Sequence, residues 1–269
     1  MGLLLAVVNA SFAQVNGEPL AAAAAQEGIG FQFTTAGSWS QGNVDFLQLS
    51  GNLAVQYRRN FRNREDAEGE MRDRAILSAR GLLLQLNGAP FADQRLVHLR
   101  YTRMANPRLG VDVVAQYENN LLLLLEGRYT VGAALGWQAV DNETWGLHFG
   151  LGPLLEHEVR NVDPEGPDPR LMTNPRLVFA NRLNVVLVPN ELTLSNTLYV
   201  EPRVDDPGDI LIVDYFALNA PISKALTMNG NLTVRHDSRP PVPVQNTDVT
   251  VGWGFTLRLA ARPDPHEPH

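Results

Sequence analysis

The chain has 269 residues, a formal net charge of −7 and no cysteine. That length fits one large β domain or two small domains, and the acidic balance argues against a general nucleic-acid binder. The lack of cysteine excludes disulfides and any zinc or redox site built on cysteine.

The first residues resemble the end of a secretory signal peptide. An apolar core at 3–8 precedes Ser11, Phe12 and Ala13, a small-x-small pattern typical of a cleavage site, although no Lys or Arg comes before the core. We interpret 1–13 as a signal-peptide remnant and 14–30 as a linker, with an ordinary floppy N-terminus as the alternative. No apolar stretch reaches the roughly 20 residues of a transmembrane helix.

From residue 31 to residue 260, apolar and polar residues alternate in about twelve segments separated by turn residues, a pattern that predicts β-strands. In the later half, long links (159–174, 204–208) alternate with tight ones (189–190, 223–224), as loops and turns do in outer-membrane barrels. The predicted strands are 31–39, 44–58, 75–87, 94–104, 110–118, 121–138, 143–158, 176–188, 191–203, 209–221, 225–237 and 248–260.

The last of these segments shows that alternation alone leaves the orientation open. Val249, Val251 and Trp253 alternate with Asp248 and Thr250, and successive side chains of a strand point to opposite faces. If the apolar face is inside, the protein is a soluble β-barrel that binds an apolar ligand. If it is outside, the protein spans a membrane.

Three observations favour an apolar exterior. Many predicted strands run about 11 to 15 residues, whereas a bilayer-spanning strand requires about 9–11 and a globular strand averages about 5–6. Aromatic residues lie near strand ends, as in interfacial girdles: Trp39, Tyr57, Tyr117, Trp137, Trp145 and Tyr199. Charges of both signs lie on the polar face, which we assign to the lumen: Arg58, Arg100, Asp112, Glu126, Arg128, Arg182, Glu201, Asp214, Arg235, Asp248 and Arg258.

A two-residue turn at Pro189 and Asn190 would pair residue i of the eighth strand with residue 379 − i of the ninth. The apolar residues of both strands then share one face, as a correct register demands. Asn181 and Asn196 fall on that same face. Polar groups facing lipid are costly without partners, so these two residues either mark an oligomer contact or lie near the membrane interface or pair with each other.

Several short stretches together resemble the bacterial family of salt-induced outer-membrane proteins, whose molecular function is unknown. They are SQGNVD at 40–45, HLRY at 98–101, AQYE at 115–118, EGRY at 126–129 and VGAALG at 131–136. The resemblance implies an all-β protein: a single antiparallel up-and-down transmembrane β-barrel of about 12 strands, in the outer membrane of a Gram-negative bacterium. The departures are the leucine run at 121–125 and a tail at 261–269 that does not end on an aromatic residue.

The sequence contains no Walker loop, Rossmann glycine pattern, H-E-x-x-H or G-x-S-x-G. We therefore expect neither an enzyme nor a cofactor or metal site. The expected partners are the lipid bilayer, the outer-membrane assembly machinery and possible further copies of the chain in an oligomer. The function we expect is structural or that of a narrow pore with an ion-paired lumen, related to envelope or osmotic stress. The alternative is a soluble periplasmic β-barrel that binds an apolar ligand.

Overall fold

The computed structural model describes residues 27–40, 45–61, 71–142, 144–189, 191–223 and 226–257. The interpreted signal peptide, the tail at 261–269 and Arg258 lie outside these residues. Among the described residues, no helix has both the length and the apolar content needed to cross a bilayer. The strands are β1 Gly28–Ser40, β2 Phe46–Asn60, β3 Met71–Leu86, β4 Ala89–Met104, β5 Leu109–Asn120, β6 Leu125–Asp141, β7 Trp145–Arg160, β8 Leu171–Val188, β9 Leu192–Pro202, β10 Ile210–Pro221, β11 Leu226–Asp237 and β12 Thr247–Leu257.

The strands form because polar and apolar residues alternate with the period of two that an extended chain imposes. In β4, Leu96, His98 and Arg100 are buried, whereas Val97 and Leu99 between them are exposed. The leucine run after β5 forms a short 3-10 helix, Leu121–Leu123, capped by the Asn120 side chain. This helix therefore links β5 to β6, whereas the sequence predicted that these residues belong to a strand, 121–138.

Each strand pairs antiparallel with the next one along the chain, in the order β1 to β12. This arrangement confirms the predicted up-and-down topology and strand number. The sheet is curled, because side chains of strands far apart in the sheet come close enough to interact electrostatically: Arg80 of β3 with Tyr215 of β10, and Arg128 of β6 with Asp237 of β11. We call the space they share the lumen. Within the described residues β1 and β12 are the sheet edges, so their pairing into a closed barrel stays a prediction.

The register between β8 and β9 follows the predicted rule. Every pair from Phe179 with Val200 to Val186 with Thr193 obeys i and 379 − i. The register shifts only between Val186 and Val188. An irregularity beside the turn therefore replaces the simple two-residue hairpin, and the faces of both strands are assigned correctly.

The links between strands differ in length at the two ends of the sheet. The long links after β7, β9 and β11 lie at the end where β1 finishes, which we call the long-loop mouth. The opposite end, which we call the short-turn mouth, has short links except for the one after β2 (61–70). At the long-loop mouth the Val242 backbone N–H donates to Asp168 Oδ2 at 2.9 Å, and Ser238 Oγ donates to the Gly208 carbonyl at 3.0 Å. The links after β7, β9 and β11 are thus connected by hydrogen bonds.

Gly152 of β7 lies where the backbones of β6 and β7 approach closely. A Cβ added to Gly152 would stand 1.9 Å from the Ala133 carbonyl oxygen, and a backbone atom cannot move aside as a side chain can. We expect Gly152→Ala to lower the free energy of unfolding by about 1–3 kcal/mol, the usual range for overpacking. Urea unfolding of the protein refolded into lipid vesicles measures this value.

Gly51→Ala is the matched control for this substitution, because a Cβ at Gly51 meets no atom within 4 Å. Equal unfolding free energies for the two variants would contradict the close approach of β6 and β7.

Candidate functional site

Apolar residues lie on the outside of the sheet and charged residues on the inside, which is the opposite of their distribution in a soluble protein. Large apolar side chains such as Leu135 and Trp253 are 73% and 64% exposed, whereas Glu156 and Glu201 are 0% and 1% exposed. Charged residues are almost never fully buried unless they are paired. An apolar exterior around a polar, charged interior is the arrangement of a transmembrane barrel.

The last strand, on which the sequence left two answers open, follows the same rule. Val249, Val251 and Trp253 are exposed, whereas Gly252 between them is buried. The apolar face of β12 therefore points outward in its described side chains, as expected.

The aromatic residues confirm most of the predicted outward positions and correct one of them. Trp137 is exposed and its ring stacks on Phe149 with centroids 5.9 Å apart. Tyr199, by contrast, points into the lumen and is buried against Leu154 and Val213. Its neighbours on the inner faces of β7 and β10 are apolar, so this part of the lumen wall accepts an aromatic ring. All four tryptophans of the chain are exposed: Trp39, Trp137, Trp145 and Trp253.

A charged network lies in the lumen near the long-loop mouth, and Arg128 is one of its two centres. Its Nε lies 2.6 Å from Glu158 Oε1 and 3.4 Å from Glu156 Oε2, and its Nη1 lies 3.4 Å from Glu118 Oε2. The guanidinium is thus surrounded by three carboxylates. The network comprises Glu118, Arg128, Glu156, Glu158, Arg160, Arg176, Glu201, Asp209, Arg235 and Asp237.

The second centre is Arg176 of β8. Its Nε lies 3.1 Å from Glu156 Oε1, and its Nη2 lies 3.1 Å from Asp209 Oδ1. Its Nη1 also donates to the Glu201 carbonyl at 2.9 Å. Glu156 accepts a further hydrogen bond from Asn174 Nδ2 at 2.9 Å. Glu156 therefore bridges the two arginines.

The strand register explains why these charges meet. Arg128 lies directly opposite Glu118 of β5 on one side and opposite Glu158 of β7 on the other. Glu156, Glu158 and Arg160 are two residues apart along β7, so all three point into the lumen. Opposite charges in directly opposed positions stabilise a sheet. The network is therefore built into the pairing of β5, β6 and β7.

Glu201 of β9 completes the network in an unusual way. Its side chain is buried beside Arg176 and Arg128, with which it interacts electrostatically, yet neither carboxylate oxygen accepts a hydrogen bond from the described part of the chain. Glu118 Oε1 and Thr130 Oγ1 also have no hydrogen-bond partner in the described part of the chain. Buried polar atoms are normally satisfied by protein groups or water. This part of the lumen therefore suits water and ions better than an apolar ligand.

A second charge pair lies nearer the short-turn mouth. Arg100 and Asp112 form a two-pronged ion pair, with Nε to Oδ1 at 3.1 Å and Nη2 to Oδ2 at 2.7 Å. Thr102 Oγ1 also donates to Asp112, and His148 Nε2 lies 3.8 Å from the same carboxylate. Two-pronged arginine–carboxylate pairs are stronger and better oriented than single contacts.

The structure brings some of the predicted lumen charges together and leaves others apart. Arg128, Glu201 and Arg235 belong to the network, and Arg100 and Asp112 form the second pair. The half-buried residues Arg58 and Arg182 lie on the inward sides of β2 and β8, and Arg182 is opposite His148 of β7 in register. Arg58 Nε donates to Asn60 Oδ1 at 2.9 Å.

Asp214 was assigned to the lumen, and the structure places it on the outer face. In register it lies opposite Leu198 of β9 and Val234 of β11. The inward positions of β10 on either side of it are held by apolar residues, including the buried Leu211 and Val213. Both faces of β10 are therefore mainly apolar, so alternation there does not reveal which face is inside.

Glu126 and Asp248 are also less enclosed than expected. Glu126 is exposed at the rim, where Arg170 Nη2 lies 3.3 Å from Glu126 Oε2. The pairing is irregular between Leu125 and Gly127, and this irregularity turns Glu126 out of the alternation. Asp248 is exposed at the beginning of the edge strand β12.

Most of the carboxylates and arginines of the network were not among the residues predicted from the sequence. The signal was present in Glu156, Glu158 and Arg160, whose charges at alternate positions predict one charged strand face. No local signal identified Asp209, which lies in a link between strands. The missed members are Glu118, Glu156, Glu158, Arg160, Arg176, Asp209 and Asp237.

Comparisons with known proteins give a family but no function. A family profile described as "Protein of unknown function, DUF481" matches residues 34–258. Its description does not mention salt, so the salt-induced name of the resembling family is not supported by it. No curated protein matches the chain.

Three solved structures are similar in arrangement. The NanC porin has a TM-score of 0.47 at 11% identity, and the KdgM porin 0.42 at 10% identity; each comparison covers 86% of this chain and 99% of the other. The translocator domain of the autotransporter NalP from Neisseria meningitidis has a TM-score of 0.41 at 15% identity, covering 86% of this chain and 87% of the other. Likeness at this level carries no information about function.

Proposed function

Because the chain belongs to the DUF481 family, whose function is unknown, we propose a function from the geometry of its own lumen. The protein is a β-barrel of the outer membrane whose lumen is obstructed by the charged network. It acts as a structural element of the membrane or as a narrow polar pore, and it carries out no enzymatic reaction.

The observation that carries this proposal is the extent of the network. Its ion pairs run without a break from Glu118 on β5 through Arg128, Glu156 and Arg176 to Asp209 in the link before β10. Arg128 also interacts electrostatically with Asp237 on β11. Side chains from β5 to β9 and from β11 therefore come together near one mouth. The network contains six carboxylates and four arginines, so charges of both signs line this part of the lumen, with the negative ones in excess.

The placement in the outer membrane follows from the strands and links. The strands have 11 to 18 residues, enough to cross a bilayer as tilted strands, and most of their exposed large side chains are apolar. Outer-membrane barrels have long extracellular loops and short periplasmic turns. We therefore assign the long-loop mouth, with the links after β7, β9 and β11, to the outside, and the long link after β2 is then an exception among the periplasmic turns. The barrel reaches the membrane through the outer-membrane assembly machinery.

A role in envelope or osmotic stress comes from the family resemblance alone. It predicts that a strain lacking the gene grows more slowly than its parent at high osmolarity and equally well at low osmolarity. Equal growth in both conditions would contradict the stress role and leave the barrel itself untouched.

The alternative is a soluble periplasmic barrel that binds an apolar ligand. The exposed apolar exterior and the charged interior both count against it, because a soluble barrel requires the opposite distribution.

Cell fractionation combined with gel electrophoresis separates the two proposals. A membrane barrel is expected in the outer-membrane fraction and migrates differently before and after boiling in SDS. Recovery of a detergent-free monomer from the periplasm, with no heat-dependent migration, would contradict the proposed function.

A further inference from the structure

Three polar residues lie together on the outer, apolar face of the sheet. They are Asn181 of β8, Asn196 of β9 and Asp214 of β10, and we call them the polar island. In register Asn181 lies opposite Leu198, and Leu198 lies opposite Asp214. The island therefore crosses three neighbouring strands.

The members of the island interact only in part. Asn196 Nδ2 donates to Asp214 Oδ1 at 2.6 Å and more weakly to the Tyr215 carbonyl at 3.3 Å. Asp214 Oδ2 accepts no hydrogen bond from the described part of the chain. The side chain of Asn181 takes no part in the hydrogen bonds of that part either.

The island lies within the apolar band and not at its rim. Along β9, Asn196 stands between the outward residues Leu194 and Leu198, and along β10, Asp214 stands between Ile212 and Phe216. The outward residues before and after the island along these strands are therefore apolar. This position removes the simple explanation that the asparagines lie at the membrane interface.

A carboxylic acid group in this position is costly without partners. Acidic residues at membrane depth are rare and normally face a partner or a water-filled cavity. One hydrogen bond from Asn196 satisfies only part of the four acceptor sites of a carboxylate. The group that covers Asp214 must therefore present N–H or O–H donors at the same depth in the bilayer.

We propose that a second copy of this chain covers the polar island and that the protein forms a two-fold symmetric dimer there. All copies of a barrel enter the membrane in one orientation, so a two-fold axis along the membrane normal brings the two islands to the same depth. The two asparagine amides supply donors and Asp214 supplies acceptors, so the patch is complementary to itself, as a two-fold interface requires. The proposal rests on the membrane placement proposed above.

The absence of cysteine from the sequence allows a clean cross-linking test. Phe216→Cys places a thiol beside the island, since Phe216 is exposed and lies opposite Asn196 in register. Val113→Cys, exposed on β5, is the matched control on another side of the sheet. The purified full-length variants are placed in lipid vesicles and oxidised with copper phenanthroline. We expect a disulfide-linked dimer from the Phe216 variant and monomer from the Val113 variant.

A second comparison separates a specific contact from chance encounters. Adding Asp214→Leu and Asn196→Leu to Phe216→Cys is expected to reduce cross-linking to the level of the Val113 variant. These substitutions replace polar groups on the lipid side, so the heat-dependent migration of the folded barrel is expected to remain.

Equal cross-linking of the two single-cysteine variants, or cross-linking that survives the leucine substitutions, would overturn the dimer. In either case a chain that is still recovered from the outer membrane leaves the proposed function intact. A chain that does not enter the membrane at all would instead refute the membrane placement.

Discussion

Replacing Arg128 with methionine is expected to lower the free energy of unfolding by about 3–5 kcal/mol, the range measured when one partner of a buried ion pair is removed. Arg128 is 3% exposed and lies among Glu118, Glu156 and Glu158. Without its guanidinium these buried carboxylates repel each other. Urea unfolding from lipid vesicles measures the difference from the unmodified protein.

Arg170→Met is the matched control for Arg128→Met. Arg170 also pairs with a glutamate, Glu126, but at the exposed rim, where such a pair is worth about 0–1 kcal/mol. If both variants lost the same amount of unfolding free energy, burial of the network would add nothing to stability. If neither variant lost any, the ion pairs of Arg128 would be contradicted.

Removing the centre of the network is also expected to open the lumen. The combined substitution Arg128→Ala and Glu158→Ala deletes one charge of each sign and two long side chains that contact each other. In planar bilayers we expect the unmodified protein to give no discrete current steps or only small ones. We expect the double variant to give steps several-fold larger.

The control is Glu126→Ala with Arg170→Ala, an ion pair of the same type outside the lumen. Its current is expected to equal that of the unmodified protein. The lumen would not be closed by the network if the Arg128 and Glu158 variant conducted no better than this control, provided that both show heat-dependent migration as folded barrels.

The sequence predicted the fold well because one physical signal extends along most of the chain. Alternation defined the strands, and a single turn at Pro189 was enough to place Phe179 opposite Val200. Strand ends were less certain, because polar residues that begin a strand resemble those of the preceding link. The structure begins β3 at Met71 and β8 at Leu171, several residues before the predicted beginnings.

The face of individual charges was predictable only where the two faces of a strand differ in polarity. Arg128 and Glu201 were assigned correctly to the lumen, whereas Asp214 was not, since Val213 and Tyr215 beside it resemble the outward residues of β10. Glu126 was assigned wrongly because an irregular pairing between Leu125 and Gly127 breaks the period of two.

The charged network itself could not be derived from one sequence. Its contacts join β5, β6, β7, β8 and a link before β10, and they depend on the register of each pair of strands. Only the strand pair joined by the turn at Pro189 had a register that the sequence indicated. The sequence therefore indicated a charged lumen, but neither most of the members of the network nor the pairing of Glu156 with both Arg128 and Arg176.

Quenching of the native tryptophans by brominated lipids tests the central claim of an apolar exterior most directly. The chain has four tryptophans, and all are exposed on the outer face: Trp39, Trp137, Trp145 and Trp253. In vesicles of lipid brominated along the acyl chain, most of the emission should be lost relative to unbrominated lipid, while a water-soluble quencher such as iodide should have little effect. Emission that is unaffected by the brominated lipid and strongly quenched by iodide would contradict the membrane barrel.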